Sequence, residues 1–119
     1  MLAAVIRRDG RYLVCRRPAH KRHGGLWEFP GGKIHAGETL LDAARRELAE
    51  ELSLRAVAVG PVLYARRDAG SEFVIEFAEV GAEGEPVALE HDEVSWLTRD
   101  EILRLELAPA DRRFAEEVL

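Results

Sequence analysis

The sequence predicts an α+β fold, a sandwich in which a mixed β-sheet lies between helices. Its 119 residues suit one domain of the commonest size. The composition, 47% apolar and 33% charged, is that of a globular chain. Strand-like runs are grouped around one amphipathic helix instead of alternating with helices, which favours α+β over a doubly wound parallel sheet. Residues 1–119 are therefore expected to form a single domain.

The first elements are predicted to be strands. Leu2–Arg8 and Arg11–Arg17 are strand-like runs separated by Asp9-Gly10, a pair that supplies the positive φ angles of a two-residue hairpin turn. Pro18–Gly25 is a polar, basic loop. A short apolar strand, Leu26–Phe29, follows this loop.

A sharp turn and then a helix come next. The turn is Pro30-Gly31-Gly32, and the helix begins after Thr39. Thr39 and Asp42 form the pattern of a capping box. The apolar residues that follow recur at helical spacing on one face, which extends to Leu52: Leu41, Ala44, Leu48 and Leu52.

The second half of the sequence predicts two long antiparallel strands, a further short strand and two further helices. Val57–Arg66 and Glu72–Val80 are rich in strand-forming residues, and a polar loop over Gly81–Pro86 follows them. The remaining expected elements are a strand over Val94–Leu97, a short helix capped by Thr98 with Glu101, and a last helix from Pro109 through Val118.

Charge and cysteine content restrict the classes of partner and the compartment that we expect for this protein. The net charge of −5 disfavours binding to nucleic-acid polymers or to anionic membranes. The single Cys15 allows no intrachain disulfide, and the apolar run Leu2–Ile6 is too short for a signal peptide or a membrane span. We therefore expect a cytoplasmic protein without a membrane partner, either a monomer or a homodimer.

Three carboxylates share one face of the predicted helix. Glu47, Glu50 and Glu51 fall within a sector of about 100° on a helix. Like charges at these spacings repel one another, and a hard divalent cation such as Mg²⁺ or Mn²⁺ is a natural counter-ion for clustered oxygen ligands. The alternative is a solvated acidic face that Arg45 and Arg46 partly neutralise.

The spacing around this helix repeats a known motif. Gly32 is followed after five residues by Glu38, and after seven more by Arg46-Glu47-Leu48-Ala49-Glu50-Glu51-Leu52-Ser53-Leu54. This pattern resembles the Nudix box. Ser53 departs from it, because the box has a glycine there. Since glycine relieves a left-handed helix cap, we expect Ser53 to affect the helix exit rather than the carboxylates.

The resemblance spans nearly the whole chain and indicates the MutT-type branch of the Nudix family. The matching segments outside the box are Arg16-Arg17, Leu26–Ile34, Gly37-Glu38-Thr39, Glu90 with Trp96 six residues later, and Leu107–Asp111. The family implies a Nudix α/β/α sandwich that uses Mg²⁺, or Mn²⁺, to hydrolyse a (deoxy)nucleoside triphosphate to the monophosphate and pyrophosphate. The substrate would be of the 8-oxo-dGTP type or the dCTP and 5-methyl-dCTP type.

Two alternatives remain open at this stage. The chain could be a Nudix hydrolase of another nucleoside diphosphate derivative, or a non-catalytic Nudix domain that binds a ligand. All the box carboxylates are retained, which argues against the non-catalytic alternative.

The resemblance also implies roles for individual residues. The metal ligands would be the carbonyl of Gly31 and the carboxylates of Glu47, Glu50, Glu51 and Glu90, and Glu90 could instead be the general base. Arg46 joins the catalytic set as the ion-pair partner expected for Glu38. His35 and His91 receive no role, because neither has a partner at metal-ligand spacing.

The substrate contacts implied by the resemblance are spread along the chain. Arg17 would bind the α-phosphate, since a guanidinium pairs with phosphate oxygens. Lys33, in the loop before the helix, is a further candidate. Glu28, Phe29 and Asp111 are the candidate contacts to the base.

Overall fold

Two β-sheets and three helices make up the computed structural model, which describes residues 1–119. In chain order the elements are β1 (Leu2–Val5), β2 (Arg7–Arg8), β3 (Arg11–Arg16), β4 (Trp27–Glu28), β5 (Gly31–Gly32), α1 (Leu40–Leu52), β6 (Arg55–Arg67), β7 (Val74–Glu83), β8 (Glu93–Leu97), α2 (Arg99–Leu103) and α3 (Pro109–Glu117). One sheet is mixed, with the order β5-β1-β7-β6 and β1 parallel to β7. The second sheet is antiparallel and consists of β2, β4 and β8, each paired with β3.

The helices pack on opposite faces of the mixed sheet, as predicted. Alternate residues of β1 enter two different cores: Ala4 lies in the core that contains Leu48 of α1, and Ala3 lies in the core that contains Phe114 of α3. This alternation follows from the period of two along a strand. None of the three helices is long and apolar enough to cross a membrane.

The predicted first strand, Leu2–Arg8, is divided between the two sheets. Arg7–Arg8 pairs with β3 across a turn in which Asp9 has φ 51° and Gly10 has φ 76°. Leu2–Val5 instead lies inside the mixed sheet, between β5 and β7. The predicted hairpin was therefore too long, because an apolar run that is buried on both faces takes strand partners on both edges.

The two long strands, β6 and β7, are antiparallel as predicted, but β7 extends further. Gly81–Glu83 was expected to lie in a loop, whereas these residues pair with the beginning of β6. The register shifts between Val59 and Val62. Pro61 lies within this interval and has no N–H to donate to the ladder, which accounts for an irregularity there.

Both ends of α1 follow from the sequence. Thr39 accepts a hydrogen bond from the backbone N–H of Asp42, and the Asp42 carboxylate accepts one from Thr39, which completes the predicted capping box. At the other end Ser53 takes a left-handed conformation with φ 58°. The helix thus keeps the exit geometry for which the Nudix box normally has glycine, with a side chain in a disfavoured backbone region.

Replacing Ser53 by glycine should stabilise the protein. A Cβ in the left-handed region is unfavourable, so Ser53→Gly is expected to raise the free energy of unfolding by about 0.5–1 kcal/mol, measured by urea denaturation. Ser95→Gly in β8 is the matched control and should lower that free energy by about the same amount, because glycine weakens an extended strand. A loss of stability in both variants would contradict the strain assigned to Ser53.

Candidate active site

The site is built around a glycine turn that leaves no room for side chains. Gly31 has φ 153°, and a Cβ there would lie 2.0 Å from the carbonyl oxygen of Leu2 on the neighbouring strand β1. A Cβ on Gly32 would lie 2.6 Å from the carboxyl carbon of Glu47. The two glycines therefore allow β5 to pack between β1 and the acidic face of α1.

Arg46 connects the loop before α1 to that acidic face. Its guanidinium donates two hydrogen bonds of 2.9 Å to Glu38, one of 2.6 Å to Glu47, and one of 2.8 Å to the carbonyl oxygen of Lys33. The two bonds from Arg46 to Glu38, with the N–H of His35, lower the pKa of Glu38 to about 2. Arg46 lines neither cavity of the site described below, so its geometry is that of a positioning residue rather than of a group that contacts substrate.

Four of the five predicted metal ligands line a cavity of about 290 Å³. Gly31, Glu47, Glu51 and Glu90 line it. Glu50 does not: its side chain is 56% exposed and lies 3.9 Å from the guanidinium of Arg46. The carboxylates surround the cavity without forming a ready-made cage, since no three acidic, histidine or cysteine side chains are close enough together to enclose a metal ion.

Glu51 is the buried member of this acidic group. It is 5% exposed, and its Oε1 accepts a hydrogen bond of 3.2 Å from the N–H of Gly31. Burial, together with the negative charges of Glu28, Glu47 and Glu90, raises the pKa of Glu51 to about 9. Hard oxygen donors with an uncompensated negative charge fit a divalent cation, which would favour the ionised form of Glu51.

A second cavity of about 270 Å³ adjoins the first. The two share Arg17, Glu28 and Lys33 among their lining residues. Arg17 is held there by a 2.9 Å hydrogen bond to Oε1 of Glu28 and by a 2.6 Å bond to the carbonyl oxygen of Arg22. Two cations therefore stand where the cavities meet.

Asp111 lines the second cavity from the first turn of α3. It is 5% exposed and accepts a 2.9 Å hydrogen bond from the N–H of Phe29. Burial and the nearby charge of Glu28 raise the pKa of Asp111 well above its ordinary value. The ring of Phe29 lies in the core, edge-on to Phe77 and Phe114, so its contribution to the site is through the backbone.

Two residues at the site were not expected from the sequence. The side chain of His91 is buried, and its Nε2 lies 3.0 Å from Oε2 of Glu28. Phe73 lines the second cavity, and the Lys33 ammonium lies 5.0 Å from the centre of its ring. The available sequence signal for Phe73 was an aromatic residue near the start of the predicted strand Glu72–Val80. No local pattern indicated His91, because its partner is 63 residues away.

The basic loop predicted over Pro18–Gly25 also reaches the second cavity. Arg22 lies 3.5 Å and His23 lies 3.7 Å from the carboxylate of Asp68, in the turn between β6 and β7. All three residues line the cavity. The Asp68 turn, for which the sequence indicated no function, thus forms part of its wall.

The α+β sandwich, with an acidic helix packed on a glycine turn, is the architecture of a class of hydrolases. Within that class the chain belongs to the Nudix family, because the family model of the NUDIX domain matches residues 1–118. Enzymes of this family generally use divalent metal cations and act on nucleotide substrates.

Known proteins resemble the chain over nearly its whole length. It is 37% identical over 113 residues to the CTP pyrophosphohydrolase of Escherichia coli K12, which covers 93% of this chain and 84% of that protein. It is 30% identical over 122 residues to the 8-oxo-dGTP diphosphatase of Haemophilus influenzae, covering 98% and 88% of the two chains. The MutT NUDIX hydrolase structure from Burkholderia pseudomallei matches with a TM-score of 0.79 at 29% identity, covering 99% and 95%.

The metal-free protein should lose stability as the pH rises, because of Glu51. The pKa of this carboxyl is about 9 in the folded state and near 4.5 in the unfolded chain, so between these values the folded state holds the extra proton. Its contribution to stability is complete below about pH 4.5 and is lost as the pH rises towards 9, by the linkage of proton binding to folding. We expect Glu51→Gln to remove a decline on the order of 2–4 kcal/mol between about pH 5.5 and 8.5.

Urea denaturation in the presence of a chelator measures this effect. Glu50→Gln is the matched control, since the side chain of Glu50 is 56% exposed. The control should retain the wild-type pH dependence. Identical pH profiles for the two variants would contradict the assignment of the decline to Glu51.

Proposed function

We propose that the chain hydrolyses a nucleoside triphosphate to the monophosphate and pyrophosphate with Mg²⁺. The observation that carries this proposal is the pair of adjoining cavities, one acidic and one with a buried base-reading candidate, joined by Arg17 and Lys33. The charged phosphate chain, with its metal ion, matches the acidic cavity, and the nucleoside matches the second cavity. The names of the E. coli and H. influenzae relatives support the same reaction.

The cationic residues between the cavities suit the phosphate chain. Nε and one terminal nitrogen of Arg17 donate hydrogen bonds to Arg22 and Glu28, which fixes the guanidinium. The donors of the other terminal nitrogen remain available to a phosphate oxygen. Lys33 lies on the same border. We assign both residues to the phosphates, with Arg17 at the α-phosphate nearest the nucleoside.

The acidic cavity suits the metal ion. We assign its binding to the carbonyl of Gly31 and to Glu47, Glu51 and Glu90, with Glu50 joining from the solvent side. When bound, Mg²⁺ supplies neutralisation of phosphate charge and activation of water. Glu90 is exposed and makes no ion pair, so its carboxylate is available as a further ligand or as the general base.

The second cavity suits the nucleoside. One oxygen of Asp111 is bound to the N–H of Phe29, and its raised pKa favours a protonated carboxyl that can donate a hydrogen bond to a base. Glu28 lines the same cavity. The named relatives act on a cytosine nucleotide and on an oxidised purine nucleotide, and both bases offer acceptors to such a donor.

A substrate panel tests the proposal. The wild-type protein is incubated with Mg²⁺ and CTP, dCTP, 5-methyl-dCTP, dGTP, 8-oxo-dGTP or UDP-glucose, and the products are separated by chromatography. We expect monophosphate and pyrophosphate from at least one triphosphate. Preferred cleavage of UDP-glucose would instead support a nucleoside diphosphate derivative as substrate, and tight binding without turnover would support a ligand-binding domain.

Glu51→Gln should abolish turnover while the protein stays folded. It removes an anionic ligand from a buried position, so kcat is expected to fall by about a hundredfold or more. Circular dichroism checks the fold, and Glu116→Gln on the exposed part of α3 serves as the control with wild-type kcat. Near-normal turnover by Glu51→Gln would refute the assignment of the metal site.

Asp111→Asn should preserve much of the activity, whereas Asp111→Leu should not. Asparagine retains an acceptor for the Phe29 N–H and offers a donor like that of a protonated carboxyl. We expect kcat/KM with the preferred triphosphate to stay within about tenfold for Asn and to fall by about a hundredfold or more for Leu. Equal losses in two folded variants would show that the donor is not what the base requires.

A further inference from the structure

The side chain of His91 is buried, and the residue follows an exposed loop acid, Glu90. Its side chain is 6% exposed, and Nε2 lies 3.0 Å from Oε2 of Glu28. Because an ionised carboxylate only accepts hydrogen bonds, Nε2 carries the hydrogen in this pair. Nδ1 is also buried and has no hydrogen-bond partner, so the contact with Glu28 is the polar contact that the imidazole makes.

Both oxygens of Glu28 are bound. Arg17 donates to Oε1 at 2.9 Å, and His91 donates to Oε2 at 3.0 Å. A carboxylate held at both oxygens has little freedom to rotate. Glu28 lines both cavities, and its charge contributes to the raised pKa of Glu51 in one and of Asp111 in the other.

His91 lies at the middle of the segment that delivers Glu90 to the acidic cavity. The N–H of Leu89 donates to the carbonyl oxygen of Glu51 at 3.0 Å, and the N–H of Asp92 donates to that of Arg16 at 3.0 Å. Glu90 and His91 span the gap between these backbone anchors. Glu90 makes no ion pair. The His91 bond to Glu28 is therefore the side-chain contact that attaches these two residues to the rest of the site.

We propose that His91 is a positioning residue for the metal and phosphate site. Through its hydrogen bond to Glu28 it holds the Glu90 segment at the mouth of the acidic cavity and keeps Glu28 aligned with Arg17. This inference rests on the proposed function, because it takes the acidic cavity to bind a divalent cation and a phosphate chain. The histidine acts through Glu28 and Glu90 and does not itself touch the reacting atoms.

Two polar variants of similar size test the proposal. The side-chain amide of Gln reaches the position of Nε2, whereas that of Asn reaches only the position of Nδ1, so His91→Gln keeps the donor to Glu28 and His91→Asn loses it. We expect His91→Asn to lower kcat/KM and Mn²⁺ affinity by about tenfold or more, and His91→Gln to stay within about threefold of wild type. Mn²⁺ affinity is measured by electron paramagnetic resonance without substrate.

A double-mutant comparison isolates the bond to Glu28. In a Glu28→Ala background, which removes the acceptor, His91→Asn should cost less than twofold in Mn²⁺ affinity, because the two changes remove the same interaction. His20→Leu, in the exposed loop before β4, is the control and should match the wild type. Thermal denaturation checks that each variant is folded.

The outcomes separate positioning from a purely structural role. Equal effects of Gln and Asn, or an undiminished effect of His91→Asn in the Glu28→Ala background, would overturn the proposal, as would a wild-type protein that does not bind Mn²⁺. If the wild type binds Mn²⁺ but hydrolyses no triphosphate, the proposed function fails, and the affinities of the variants still decide the role of His91.

Discussion

The close approach of the glycine turn to its two neighbours is the constraint on which the site depends. Gly31 lies so near the backbone of Leu2 that no side chain fits, and a Cβ on Gly32 would lie 2.6 Å from the carboxyl carbon of Glu47. This packing requires that β1 run through the middle of the mixed sheet, with both faces buried. The end of α1 is thereby pressed against the loop, and the N–H of Gly31 reaches Glu51.

The charges that this packing brings together are balanced in different ways. Glu47 is bound to Arg46, and Glu28 is bound to Arg17 and His91. Glu51 is buried beside other carboxylates with a single backbone N–H as its partner, and this burial raises its pKa. The metal-free protein therefore favours a protonated Glu51, and a divalent cation would take the place of that proton, which links metal binding to proton binding and to stability.

The hydrogen-bond donors around Glu28 lie where the acidic cavity meets the second cavity. Glu28 lines both cavities, and Arg17 and Lys33 lie on the same border. A substrate with a charged and an uncharged part would therefore contact both cavities at once. The carboxylates near α1 and the buried Asp111 of α3, which are far apart in the chain, thus line adjoining cavities.

Local patterns in the sequence were sufficient for the helices, the antiparallel pair β6 and β7, the Glu38 pairing with Arg46, and the gathering of Glu47 and Glu51 beside Gly31. Each of these depends on helical spacing, a capping box, runs of strand-forming residues, or a motif that resembles a known family. The tertiary structure decided the division of the first strand between two sheets, the burial of the Phe29 ring, and the contacts of His91 and Asp111. These contacts join residues 63 and 82 positions apart, and no local periodicity encodes them, because they arise only when the sheets and α3 pack together.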